Sequence, residues 1–192
     1  MLIDNWKQYL QLTLQEDKLE VHEPNVTILE AFTEYLPLDR HPHVLEIGAG
    51  AGIDMKVLMD KGYKVTGIGF GYENKRYARE ELGIDLIQMD MHVLNFKDET
   101  FDGILSIQTF EHSLSPFIVA SEISRVLKPG GRALIDTPDP DDEAMWAKHH
   151  PSLLYPLQLR RLFRLFDLKV IIDLSRKHRT QIIFEKEKAG VK

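Results

Sequence analysis

The chain has 192 residues, of which 43% are hydrophobic and 28% charged, with a formal net charge of -6 and no cysteine. That length suits one well-buried domain and is short for two, and the composition points neither to disorder nor to a membrane class. The acidic balance weighs against a general nucleic-acid binder, which carries a basic face for phosphates, and the lack of cysteine excludes disulfides, thiol catalysis and cysteine-based metal sites while fitting a reducing cytoplasm.

No apolar run approaches the length of a bilayer span, and the opening MLIDNWKQYL has no basic stretch ahead of a hydrophobic one, so a soluble, cytoplasmic chain is expected. In residues 1–40, Trp6, Tyr9, Leu10, Leu12 and Leu14 form one apolar cluster. Val26, Leu29, Phe32 and Leu36 then recur at helical spacing, with Pro24 and Pro37 as punctuation, and two helices are predicted. From His43 the pattern changes to short apolar runs: VLEIG (44–48), KVTGI (64–68), IDLIQM (84–89), FDGILSI (101–107), RALIDT (132–137), KVIIDL (169–174) and TQIIFEK (180–186). Amphipathic stretches lie between them, among them IDMKVLMDKG, which Gly62 stops, and FIVASEISRVLKPGG, which ends in proline and two glycines. Alternating strands and helices imply an α/β fold with a mostly parallel sheet covered on both faces. Only SRKHR separates the last two runs, far too little for a crossover helix, so they form a hairpin and the final strand is antiparallel. A single doubly wound domain, 1–192, is expected. It comprises N-terminal helices (1–40), a core (43–137), a further segment (138–156) and a C-terminal helix with hairpin (157–192).

The stretch VLEIGAGAGID places Gly48, Gly50 and Gly52 at every second residue after the first strand, with Glu46 two positions ahead of the first glycine. Such a turn lets backbone N–H groups and a helix N-terminus face a ligand with no Cβ in the way. The dinucleotide fingerprint needs its third glycine at position 53, where Ile53 stands, so the spacing disfavours a nicotinamide cofactor.

The E-x-G-x-G-x-G loop, IQMD (87–90), FDGILS, the pair Glu111 and His112, and EISRVLKPGGRALI (122–135) together resemble the class I S-adenosylmethionine-dependent methyltransferases, in particular the small-molecule subgroup called type 11. The likeness spans about residues 43 to 137. It implies a Rossmann-like, seven-stranded sheet with a reversed last strand, S-adenosyl-L-methionine as cofactor, and a small-molecule methyl acceptor rather than nucleic acid or membrane. On the family's pattern Gly48, Ala49, Gly50 and Gly52 pass beside the methionine and ribose portions, and Glu46 organises the loop and the amino group. Asp90 accepts from the adenine amino group, Met91 flanks the ring, and Gln108 lies near the methionine end.

One position departs from that pattern. Folds of this kind carry an acidic residue for the ribose hydroxyls at the end of the second strand, and this chain has Gly69 there, in VTGIGFGYE. Glu73 could serve the ribose instead, backbone and water could replace the carboxylate, or the site could be degenerate. Alternatively Gly67, Gly69 and Gly71 mark a turn with special backbone needs.

For chemistry, His112 follows the fourth strand at the edge where open α/β sheets bind ligands, and is a candidate base or acceptor contact; capping a turn is the structural alternative. His149 and His150 precede Pro151 in a segment that could fold over the acceptor, with His149 a second catalytic candidate. No metal site is expected, because adjacent imidazoles diverge and no cysteine or third histidine is nearby. Asp139, Asp141, Asp142 and Glu143 read as a solvated acidic run, and Arg160, Arg161 and Arg164 as a solvated helix face.

Overall fold

The computed structural model describes residues 19, 21–38, 41–143, 146 and 150–188. The expected first helix, with Trp6 and Tyr9, lies outside the described residues, as does His149. Seven strands form one sheet: β1 (His43–Ile47), β2 (Lys64–Gly69), β3 (Ile87–Gln88), β4 (Phe101–Ile107), β5 (Leu127–Pro138), β6 (Leu168–Asp173) and β7 (Arg179–Lys186). Their order is β3-β2-β1-β4-β5-β7-β6. β1 pairs in parallel with β2 and β4, and β4 with β5, whereas β7 is antiparallel to both β5 and β6. The doubly wound sheet with a reversed final strand is therefore as expected.

Helices α1 (Val26–Tyr35), α2 (Ile53–Asp60), α3 (Tyr72–Leu82), α4 (Pro116–Val126) and α5 (Pro156–Arg164) cover the sheet. Strand side chains alternate between faces, and the core divides accordingly. On one face Val44, Leu105, Leu134 and Ile183 pack with Leu29 and Phe32 of α1 and Leu58 of α2. On the other, Leu45, Ile104, Ala133, Ile135, Ile182 and Phe184 meet Val119, Ile123 and Val126 of α4 and Leu159 and Phe163 of α5. Both faces being dry explains why these strands read as continuous apolar runs rather than alternating ones. In α1, Ile28 is buried in place of the predicted Val26, which stands 49% exposed in the first turn.

Two expectations need correction. The run IDLIQM keeps only Ile87–Gln88 as strand, both exposed at the sheet edge, because β3 has a single neighbour to pair with. The helix expected in FIVASEISRVLKPGG stops before its proline and glycines: α4 ends at Val126, and Leu127 is already extended, with φ -80° and ψ 135°. Pro129 explains the early stop, since its ring disfavours helical backbone in the preceding residue and it has no N–H to donate. The two glycines serve a shift in register, in which Phe101 faces Leu127 but Gly103 faces Arg132. Gly130 takes a positive φ of 81°, and a Cβ on Gly131 would sit 2.9 Å from the carbonyl oxygens of Asp102 and Lys128.

Arg125 of the same stretch is structural. It donates to Glu122, to Asp98, and to the carbonyl oxygens of Leu94 (2.6 Å) and Phe96 (2.8 Å), tying the loop before β4 to α4. Arg160 pairs with Asp173 and Arg164 with Glu187, so two of the three helix arginines are partnered within the chain.

Gly131→Ala is expected to lower stability by about 1–3 kcal/mol, because the added methyl group meets two backbone carbonyl oxygens as well as the Leu127 side chain, and the backbone cannot give way by a rotamer change. Urea unfolding against the unchanged chain measures it.

Candidate functional site

The strand order reverses between β1 and β4, and open α/β sheets bind ligands in the crevice at the carboxyl ends of such a pair. The chain leaving β1 turns there under tight constraint. The N–H groups of Gly48 and Ala49 both donate to the Ile68 carbonyl of β2, at 2.9 and 3.0 Å. Gly48 has φ 78°, and a Cβ on it would lie 2.7 Å from Cβ of Thr109, at the exit of β4. Gly50 (φ 49°) and Gly52 (φ 81°) also have left-handed backbone, and a Cβ on Gly50 would meet no protein atom within 4 Å. A cavity of about 370 Å³ opens beside this loop, lined by Glu46, Gly48, Gly50, Asp54, Asn74 and Gln108 together with Asn25 and Arg179.

Of the residues singled out from the sequence, Glu46, Gly48, Gly50 and Gln108 meet at this cavity. Ala49 and Gly52 are buried within the loop. Gly69 has ordinary backbone, and a Cβ on it would stand 3.7 Å from the Ala49 nitrogen, an unstrained contact. Special backbone geometry therefore belongs to Gly71 (φ 100°), while Gly67 is a packing glycine whose Cβ would strike the Met55 sulfur. Glu73 does not line the cavity; its carboxylate accepts from Arg76 at 2.5 Å on the outside of α3. The side chain at the cavity from that turn is Asn74. Asp90 accepts through Oδ1 from the backbone N–H of His92 (2.9 Å) and contacts its ring Nδ1 (2.6 Å). Nε2 of His92 accepts from the backbone N–H groups of Leu114 and Ser115, so Nδ1 carries the proton that Asp90 receives. Met91 is half-buried against the core.

Four further cavity residues, Asn25, Asp54, Asn74 and Arg179, were not anticipated. Asp54 opens α2 and accepts from Asn25 at both oxygens, from the backbone N–H (2.8 Å) and the side-chain amide (2.7 Å). This pins the entry to α1 against the glycine loop. Arg179, from the tip of the β6–β7 hairpin, donates to Asp136 of β5 at 2.9 and 3.0 Å, and Asp136 also accepts from Gln108 (2.7 Å) and from Gln181. Gln108, with φ 46°, is held there by its own N–H on the Asp136 carbonyl.

Buried carboxyls dominate the electrostatics. Glu46 is 4% exposed and its Oε2 has no hydrogen-bond partner. Burial, and then the neighbouring charge of Asp54, raise its pKa well above the ordinary carboxylate range. Glu111 is 1% exposed in the short 3₁₀ turn Phe110–His112, and burial is the main cause that pushes it up to about 7. The segment after β5 is stapled over that turn: the Ser152 N–H donates to the Glu111 carbonyl (3.0 Å) and its hydroxyl to the Ser113 carbonyl (2.7 Å). His150 thereby stands edge-on to His112, with ring centroids 4.8 Å apart. In the acidic run, Asp141 accepts from Tyr155 and Asp139 from the Asp141 N–H, so both close the loop on itself.

Residues 45–135 match the family model of a methyltransferase domain. A phosphatidylethanolamine N-methyltransferase of Cereibacter sphaeroides is 37% identical over 103 residues, 50% of this chain and 50% of that protein. A 1,6-didemethyltoxoflavin-N1-methyltransferase of Burkholderia thailandensis, solved with 1,6-didemethyltoxoflavin and S-adenosylhomocysteine, shares the fold with a TM-score of 0.68 at 19% identity, over 84% of this chain and 77% of that one. The [4+2]-cyclase SpnF does so with a TM-score of 0.72 at 18% identity, over 84% and 80%. At these identities the structural likeness is one of fold, and the cyclase makes plain that this fold is not bound to one reaction. The chain spans about half the length of the curated relatives it matches.

The acidity of Glu46 has a consequence for stability. An unfolded glutamate ionises near its ordinary value of about 4.3, whereas folded Glu46 holds its proton to higher pH. Above the unfolded value the unfolded state binds fewer protons, so stability is greatest below that value and falls as pH rises toward the folded one. Glu46→Gln is expected to flatten this fall and to leave the ligand-free protein more stable than the unchanged chain at pH 8. Urea titrations between pH 5 and 8 check both.

Proposed function

We propose that this protein, whose residues 45–135 match the family model of a methyltransferase domain, transfers a methyl group from S-adenosyl-L-methionine to a small-molecule acceptor by in-line displacement. One observation carries the reading: Glu46 places a buried, unpartnered carboxyl oxygen at a cavity whose other wall is glycine backbone with no Cβ in the way. A ligand that brings a cationic amino group and needs close backbone approach suits that pair, since the cation relieves the buried carboxylate. The residues present fit the cofactor: an orphaned acceptor at Glu46, glycine backbone with no Cβ in the way, and Asn74 at the cavity wall.

When bound, S-adenosylmethionine supplies a methyl group already activated on a sulfonium. The chain's task is then positioning, worth roughly 7–11 kcal/mol at the well-aligned limit. Glu46 would receive the amino group and Gln108 would steady the methionine end, itself oriented by Asp136. Asp90, with Oδ1 committed to His92, would offer Oδ2 to the adenine amino group, and Met91 would flank the ring. Asn74 would meet the ribose in place of the acidic residue that Gly69 lacks; Glu73, engaged with Arg76, is less well placed for that task. On the acceptor side, His112 would contact the acceptor or take its proton, adding about 10²–10⁴-fold where a proton must leave. The segment over the Phe110–His112 turn would limit water there. Small molecules are the acceptor class favoured by the curated relatives, and no described helix is long and apolar enough to cross a membrane.

A second reading rests on Gly69: a protein that binds S-adenosylmethionine or S-adenosylhomocysteine without turnover. Calorimetry with both ligands, followed by methyl transfer to a panel of acceptors, separates the two. Binding with transfer supports an enzyme, binding alone supports the second reading, and absence of binding at millimolar concentration overturns both. Since Gly69 has room for a side chain, Gly69→Asp is expected to tighten S-adenosylmethionine binding by roughly 10- to 100-fold, the worth of one charge-assisted hydrogen bond.

A further inference from the structure

We propose that Glu111, His112 and His150 form a binding site for a divalent transition-metal cation, with Zn2+ as the representative ion. One ligand atom from each of these residues lies within 4.8 Å of the others. In tetrahedral coordination at bond lengths of about 2.1 Å, ligand atoms stand about 3.4 Å apart, so closure needs only side-chain rotation about the bonds of one turn and one loop. Two histidines and one carboxylate suit zinc, and three protein ligands leave a coordination position for water or an oxygen of the acceptor.

The surroundings favour a cation for a reason separate from the ligand distances. Glu111 is 1% exposed and its Oε2 has no hydrogen-bond partner. Asp136, completely buried, lies close enough to repel it, and the Arg179 guanidinium that acts on Glu111 is already bound to Asp136. Two buried carboxyl groups thus share one guanidinium. A second positive charge beside Glu111 would balance the pocket, and an orphaned buried carboxyl is costly until it is paired or bound to metal. The scaffold is also fixed. Glu111 and His112 sit in a turn closed by the His112 N–H on the Thr109 carbonyl (3.0 Å), and His150 precedes by two residues the Ser152 that is bonded twice to that turn. Adjacent His149 and His150 gave no sign of such a site in the sequence, because the ligands come together only when the segment after β5 folds back over the end of β4.

In the methyltransferase reading, on which this functional role rests, His112 would meet the acceptor through the cation rather than directly. The cation site itself is tested without turnover. The chelator-stripped full chain is titrated calorimetrically with ZnCl2 and followed by visible absorption with CoCl2. One equivalent is expected to bind. His150→Ala and Glu111→Gln should each weaken binding by at least about 100-fold, more than the loss of an outer partner costs, whereas His41→Asn, on an exposed loop, should leave it unchanged. Urea unfolding should show zinc stabilising the unchanged chain and not the His150→Ala variant. Absence of zinc binding, or binding that survives both substitutions, overturns the site. If Glu111→Gln fails to fold, the His150→Ala titration decides alone. S-adenosylmethionine calorimetry on the same samples keeps the readings apart: loss of zinc binding with intact nucleoside binding removes the cation site only, and the converse removes the methyltransferase reading only.

Discussion

The site depends on a contact that excludes a single atom. Where β1 ends, the chain must pass between the Ile68 carbonyl of β2 and the Thr109 side chain beyond β4, and at Gly48 there is no space for a Cβ. The left-handed backbone at Gly48, Gly50 and Gly52 follows from making that passage and then entering α2 at once. Because the turn hugs the sheet there, the backbone at Gly48 and Gly50 and the Glu46 carboxyl line an opening. The strand order supplies the crevice, and the missing methyl group keeps it accessible.

Around that opening the chain accepts an unusual concentration of buried charge. Glu46 and Asp54 stand on one side, where Asn25 answers Asp54 but leaves Glu46 without a partner. Asp136 and Glu111 stand on the other, where Gln108, Gln181 and Arg179 answer Asp136 and leave one oxygen of Glu111 unanswered. Elsewhere in the core, buried polar groups are few and the two faces are filled by aliphatic and aromatic side chains. Stability given up at two carboxyl groups is concentrated where ligands would restore it, as expected when local energetic rules are broken at functional positions.

The strands and their directions were legible because a sheet buried on both faces needs unbroken apolar runs, and because five residues cannot carry a crossover. FDGILSI matches β4 from end to end. What failed was local competition at the edges: β3 with one partner shrinks to two residues, and the KPGG stretch obeys Pro129 and the register of β4 rather than the periodicity of α4. In the site, Glu46 and its glycines are neighbours through sequence adjacency, while Gln108 reaches the same cavity from the end of β4. Asp54 was in the same quoted stretch and was passed over, since an acidic residue in a first helical turn has an ordinary explanation in the helix dipole. Asn25, Asn74 and Arg179 reach the cavity from three separate elements, and no spacing in one sequence signals such convergence. Likewise His112 and His150 meet through the Ser152 staple, which no local pattern announces.

The reversed strand β7 couples the sheet edge to the buried charge of Asp136. Asp136 precedes Arg179, its principal counter-charge, by 43 residues. Without β7, β5 would be an open edge and the Asp136 carboxylate would lack the Arg179 guanidinium. Lying between β5 and β6, β7 both covers the β5 edge and brings Arg179 to the Asp136 carboxylate, so one strand serves the sheet and the crevice together.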